Sequence, residues 1–416
     1  MSRVPRPLPP SHNRAARPQR VALAFAGGGP LGAIYEIGAL CALDDCLDGL
    51  DFNACDHYLG VSAGGFIAAA LANGMTPRQI CDAFIDDTAE GEEHFDPAWL
   101  MKPAYDELGR RARRLPGLLG TALWDLTLGR KPLSSALERL GAALPTGVFS
   151  NEDIHRQIQR LFSRAGRTND FRQLRARLTL VATHLDSGEA APFGRPGWDH
   201  VPISRAVQAS AALPGLFPPV EIDGRHYVDG ALKKTLHASV ALDEGVDLMI
   251  CLNPLVPFDG TPASDGRVRG RIPTLAEGGL PSVMSQTFRS IIHSRLELGM
   301  KQYERLYPDT DIVLLEPDRR DADLFLANTF SYRQRREMAE HAYQQTRALL
   351  RQRRTTLGAQ LARHGVRLNN DALDDERRHL LKAPPAPTRV GRSLARLHDN
   401  LDDLQHALDT RALAPR

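Results

Sequence analysis

Two short apolar runs limit what this chain can fold into. Residues 20 to 26 read Arg-Val-Ala-Leu-Ala-Phe-Ala and break off at Gly27-Gly28-Gly29. Residues 57 to 61 read His-Tyr-Leu-Gly-Val and break off at Ser62-Ala63-Gly64. Unbroken apolarity over a few positions, ended by glycine, marks a strand buried on both faces. Each run is followed by a helical pattern. From Leu31 to Leu47 the residues Ile34, Ile37, Leu40, Cys41, Leu43 and Leu47 recur at helical spacing, and Ala63 to Ala72 is rich in alanine. Strand, helix, strand, helix in this order is the βαβ signature of a parallel sheet.

The rest of the chain is read against that start. Leu178 to Thr183, Val246 to Leu252 and Asp311 to Leu315 have strand character, and Val220 to Tyr227 reads as a hairpin turning at Asp223-Gly224. Short helix Ala206 to Ala212 ends at Pro214-Gly215, and longer helices are expected over Ser285 to Tyr307 and Ser331 to Leu350. Residues 91 to 165 read as helices broken by Gly and Pro, and 257 to 282, rich in both, as a long loop.

Composition excludes some classes. Of 416 residues, 42% are hydrophobic and 25% charged, a globular balance. A net charge of +2 gives no support to a protein that coats nucleic acid. Six of the 52 basic residues are lysine and 46 are arginine, so no single arginine cluster carries much weight. Five cysteines without metal-ligand spacing read as free, mostly buried thiols, which fits a cytoplasmic protein, and no zinc site is expected. No run reaches the ~18 to 20 apolar residues that span a bilayer. Residues 1 to 20, with five arginines and no acid, read as a disordered basic tail.

Three motifs carry chemistry. Gly60-Val61-Ser62-Ala63-Gly64 is a G-x-S-x-G pattern between a strand and a helix, where a sharp turn projects the serine hydroxyl. Gly27, Gly28 and Gly29, with Gly32, leave backbone N–H groups open. They suit either an oxyanion hole or, as G-x-G-x-x-G, a pyrophosphate cradle. The dinucleotide reading also wants an acid ending a second strand, and Asp44, Asp45, Asp48 and Asp51 lie near the required distance. Asp229-Gly230-Ala231 puts a carboxylate on a turn at a strand end, as a base or as a cap on its own backbone. In a triad, His237 or His293 would follow Asp229.

Taken together, these motifs make the chain resemble the patatin-like phospholipases. The resemblance covers roughly residues 21 to 255. It rests on Ala26 to Gly32, on Gly60 to Gly64, on the run Ala209-Ser210-Ala211-Ala212-Leu213-Pro214-Gly215-Leu216-Phe217-Pro218-Pro219, on Ala182 to Glu189 and on Tyr227 to Ala231. It implies a three-layer α/β/α fold with a mostly parallel sheet, inserted helices and a helical C-terminal extension. It also implies a lipid acyl hydrolase with a Ser-Asp dyad: Ser62 as nucleophile, Asp229 as base and the Gly27 to Gly29 amides as oxyanion hole, with no cofactor or metal. Leu31 stands where the family often has Arg or Lys, and Ala231 where Gly is also common.

The expected organisation is a basic tail over 1–20, a hydrolase core over 21–255 with 91–165 as a helical insertion or lid, a loop and packing helices over 256–350, and a charged helical tail over 351–416. The basic cluster Arg110 to Arg114 beside Leu115 to Trp124 is the candidate for transient contact with a membrane surface. An NAD(P)-binding oxidoreductase using Gly27, Gly29 and Gly32, and a catalytically silent lipid-binding module, are the competing readings.

Overall fold

The computed structural model describes residues 19–86, 102–105, 109, 145–260, 275–326 and 332–381. The expectations for the basic tail up to 18, for the 110–124 segment and for 382–416 fall outside these residues.

The elements in chain order are β1 (Val21–Phe25), α1 (Gly29–Cys46), β2 (Leu47–Asp48), β3 (His57–Val61), α2 (Ala63–Ala72), α3 (Pro77–Cys81), α4 (Glu152–Phe162), β4 (Arg177–His184), β5 (Ala190–Phe193), α5 (Ile203–Ser210), β6 (Val220–Ile222), β7 (Arg225–Asp229), α6 (Ser239–Leu242), β8 (Leu248–Leu252), α7 (Gly279–Leu306), β9 (Asp311–Leu315), α8 (Ala322–Leu326), α9 (Tyr332–Gln352), α10 (Arg354–Ala362), β10 (Arg367–Leu368) and α11 (Asn370–Asp374). The main sheet runs β6-β7-β4-β3-β1-β8-β9, with β5 also paired to β4. The five strands from β4 to β9 are mutually parallel. Strands β5, β6 and β7 form an antiparallel end. This is the α/β architecture implied by the two apolar runs.

Strand order decides where a site can form. From β1 the chain moves outward through β3 to β4, then returns to β8 on the other side of β1. Ligands of such sheets bind where the order reverses, beyond the carboxyl ends of the strands. The two glycine-bearing loops, after β1 and after β3, both lie there. Beneath them, β1 is wholly buried from Ala22 to Phe25. Its small residues Ala22 and Ala24 pack with Met249, Cys251, Leu296 and Tyr303, which brings α7 close to the sheet.

Helix α1 is sandwiched between this sheet and α9. A Cβ on Gly38 would lie 2.4 Å from the Ala339 carbonyl oxygen, so the two helices touch backbone to side-chain-free backbone there. Tyr343 donates a hydrogen bond to Asp45 at 2.6 Å. All five cysteines are free and buried.

Two segments differ from expectation. Residues 275–282, read as loop, already belong to a 3-10 turn and to the start of α7. Pro281 is the third residue of that helix, where a missing N–H costs no intrahelical bond. Residues 351–380, read as part of a solvated tail, belong to the compact unit that ends at Leu380. Strand β10 pairs antiparallel with β2, and Leu357, Leu361 and Leu373 are buried. Arg347, almost fully buried, explains why the charge was misleading. Its guanidinium donates to the carbonyls of Ala372 and Asp375, both at 2.6 Å, and so closes the end of α11. A second unit begins at Leu381, of which that residue alone is described.

Candidate active site

Strand β3 ends at Val61, and the chain then turns at Ser62 with φ 55° and ψ −126°. A residue with a Cβ held there costs on the order of 1–3 kcal/mol, so the surroundings must impose it. They do so by crowding. A Cβ at Gly60 would lie 2.4 Å from Gly65 Cα, and one at Gly64 would lie 2.3 Å from the Ala26 carbonyl oxygen. Gly64 N–H instead donates to that oxygen at 3.1 Å, tying the elbow to the end of β1. The backbone N–H of Ser62 donates to Ser210 Oγ at 2.8 Å, and the Ser210 hydroxyl donates to the Val181 carbonyl at 2.6 Å. Ser210 is buried and clamps the elbow onto β4. In the sequence this serine stands only as one position of the run Ala209 to Pro219. Its signal was a hydroxyl in an otherwise apolar run of small residues.

The loop after β1 faces this elbow. A Cβ on Gly27 would sit 2.9 Å from Ser62 Cβ and 3.5 Å from Ser62 Oγ. One on Gly28 would strike Gly32 Cα at 2.7 Å and Pro254 Cγ at 2.8 Å. Gly29 has open space around it but a φ of 60°, which favours glycine. The loop opens α1, whose first N–H groups have no intrahelical partner and carry the positive end of the helix dipole. The main chain of this loop at Gly27 thus passes close to the Ser62 side chain.

Asp229 reaches the elbow by register. Val61 pairs with Val181, which puts Ser62 level with Ala182, and Ala182 pairs with Asp229. The two residues thus lie about two strand spacings apart, roughly 9.6 Å, in one row. The gap closes because the chain after Asp229 crosses over β4. A Cβ on Gly230 would lie 2.0 Å from the Val181 carbonyl oxygen, so only glycine passes there. Asp229 N–H donates to the Ala212 carbonyl at 3.0 Å, and Thr183 Oγ1 donates to the Asp229 carbonyl at 3.1 Å. Its carboxylate accepts from Ala231 N–H at 2.8 Å and stands beside the Ser62 side chain, which favours its ionised form. The backbone cap expected of a turn carboxylate is present, and the same carboxylate lies next to Ser62. Burial pushes the Asp229 carboxyl up to about 6, against the pull of Ser62 and the Ala231 N–H.

The family model described as patatin-like phospholipase matches residues 23–242, more than half of the chain. The chain belongs to the patatin-like phospholipase family. Proteins called uncharacterized NTE family proteins, from Mycobacterium bovis and Mycobacterium tuberculosis, are 34% identical over 95 residues, 23% of this chain and 24% of each relative. The chain thus spans about a quarter of the length of these curated relatives. Among solved structures, VipD from Legionella pneumophila aligns with 81% of this chain and 67% of its own, at 17% identity and a TM-score of 0.37. The type III effector ExoU aligns with 95% of this chain and 65% of its own, at 16% identity and a TM-score of 0.33.

The patatin-like core does not bring every candidate to the site. His237 is buried near the Gly230 carbonyl and lowered to about 4 by that burial, while His293 is engaged with Glu297 and Glu316. Among the described residues, no histidine hydrogen-bonds to Ser62 or Asp229. The acids considered for a dinucleotide ribose sit at or beyond the far end of α1. Asp45, for example, holds Tyr343 and Arg378, about 24 Å along the helix from Gly29. Asp321, Asp323 and His341 place ligand atoms within 4.8 Å of one another, yet Asp321 already accepts from His341, Gln345 and Leu324 N–H.

Beside the dyad opens a cavity of about 160 Å³. Its walls are apolar: Ile34 and Ile37 of α1, Phe66 of α2, Ile154 and Ile158 of α4, and Val207 of α5. Arg335 of α9, buried, also reaches it and donates to the Phe84 carbonyl at 3.3 Å. Ser62 and Asp229 both line this hydrocarbon-walled cleft.

Proposed function

We propose that the chain is a serine lipid acyl hydrolase that cleaves carboxylic ester bonds of phospholipids or related lipids through an acyl-Ser62 intermediate. One observation supports this reading: Ser62 and the buried Asp229 line the same apolar cleft, together with Gly29 of the glycine loop. Asp229 takes the proton as Ser62 Oγ attacks the ester carbonyl carbon. The resulting oxyanion is held by main-chain N–H groups of the Gly27–Gly29 loop. Collapse of the tetrahedral species breaks the ester bond, and the alcohol leaves with the proton from Asp229. A water molecule, deprotonated by Asp229, then attacks the acyl carbon, the bond to Ser62 Oγ breaks as Asp229 returns the proton to that oxygen, and the fatty acid is released.

The test is labelling by a fluorophosphonate probe, with the adduct located by peptide mass. Such a probe needs an activated serine and an oxyanion hole but no knowledge of the lipid. An adduct on Ser62 that is lost in Ser62→Ala is expected. A folded protein that binds lipid without forming the adduct would be a silent lipid-binding module instead.

A further inference from the structure

Ten large hydrophobic side chains are exposed among the described residues. Six of them, Leu280, Val283, Met284, Ile291, Leu298 and Leu306, sit on the single helix α7. Scattered exposure needs no explanation, but concentration on one face does. At 100° per residue, Leu280, Met284, Ile291 and Leu298 fall within about 40° of one line along the helix, over roughly 27 Å. The acids of the same helix, Glu297 and Glu304, lie about 100–120° away from that line. Arg295 and Arg305, in contrast, stand within about 60° of it.

The neighbouring segment adds further positive charge. Lys233 and Lys234, two of the six lysines in the chain, are exposed beside Arg295 and Leu298 around one surface hollow. Among the described residues, no acid forms an ion pair with Lys233, Lys234 or Arg295. These lysines follow Asp229 by four and five residues, and Arg295 secures the segment by donating to the Leu232 carbonyl at 2.8 Å. On its inner side α7 packs Phe288 and Ile292 against Val61, Val181 and Ala231, the residues that frame the dyad. The helix is therefore apolar outside, basic along its flank and seated directly on the catalytic loops.

We infer that the outer face of α7, with Lys233 and Lys234, docks on an anionic lipid surface and so brings the dyad to its substrate. The inference deepens the hydrolase reading by naming the surface through which it meets a bilayer, and rests on that reading for its purpose. The charge pattern selects the occupant: an apolar stripe without acids and with unpaired bases suits the boundary between acyl chains and anionic headgroups.

The experiment is cosedimentation with phosphatidylcholine vesicles, with and without phosphatidylglycerol. Ser62→Ala protein is used, so that binding is read without hydrolysis and independently of whether the hydrolase reading holds. The expected result is binding that requires phosphatidylglycerol and weakens as salt is raised. Ile291→Glu with Leu298→Glu should weaken it at least about tenfold, in line with lost apolar insertion. Lys233→Gln and Lys234→Gln, at exposed positions that leave the helix intact, should each weaken it about fivefold. Equal binding by the parent and both sets of variants would overturn the inference. So would a vesicle-free dimer that Leu298→Glu converts to monomer, because a second copy would then be the occupant.

Discussion

The turns after β1 and β3 lie side by side and look alike in sequence: strand, glycines, helix. Their physics is opposite. In the β3 turn, glycines at 60 and 64 make room so that one residue between them keeps its side chain in a left-handed backbone. In the β1 turn, glycines remove side chains altogether, and the main chain at Gly27 passes close to the serine. One turn exposes a side chain and the other exposes backbone. In the proposed mechanism, the nucleophile and the oxyanion donor are assigned by that division rather than by the glycine count.

Breaking the first turn should have the largest effect. Ser62→Ala removes the nucleophile, and an ester turnover loss of about 10⁶-fold is expected, with Asp229→Asn costing about 10⁴-fold. Retention of near-full turnover by either folded variant would remove the dyad. The second turn is tested by Gly28→Ala. Its Cβ would press on Gly32 and Pro254 and displace the donors, so kcat should fall by about 10²–10³ with little change in unfolding temperature. Gly29→Ala is the matched control. With nothing within 4 Å, it carries only the penalty of a positive φ and should lose far less activity. If the two alanine variants behaved identically, steric clearance would not be what distinguishes these glycines. A smaller effect is expected from Ser210→Ala, which leaves the Ser62 N–H and the Val181 carbonyl without their buried partner. The fold should lose about 1–3 kcal/mol by denaturant titration, and kcat about tenfold as the elbow relaxes.

The difference between the two turns was only half legible in the sequence. Strand-glycine-helix was readable because buried strands are continuously apolar and glycine interrupts them sharply. Ser62 and Asp229 were readable because their motifs have fixed spelling. Ser210 and Gly230 were not, since what they do depends on Val181, a residue of another strand that approaches only through sheet pairing. The C-terminal layer was misread for a related reason. Arg347 scores as solvent-seeking by type, yet here it is buried against the carbonyls of α11, and no local pattern announces such a partner. The outer face of α7 shows the converse: the helix is expected to pack on the core, yet Ile291, Leu298 and Leu306 are exposed.

The last prediction separates the chemical role of Asp229 from its cost to the fold. As a base, Asp229 must be ionised, so kcat/KM should rise with pH through about 6, where burial has moved the carboxyl. Stability runs the other way. An ordinary unfolded-state value of 3.8 lies below the folded one, so the native state holds its proton more tightly than the unfolded chain. The protonated carboxyl therefore favours the fold fully below about pH 3.8, and this contribution is lost as pH rises through about 6. Above that the buried charge costs the native state on the order of 3 kcal/mol. Asn at 229 keeps an oxygen for the Ala231 N–H, while its amide can donate to the Ser62 hydroxyl. Asp229→Asn should accordingly be inactive yet raise Tm at pH 7 by a few degrees, with the advantage shrinking towards pH 4. A Tm difference between the two proteins that stays constant from pH 4 to 7 would show that the carboxylate carries no such penalty, and that the pH dependence of activity has another source.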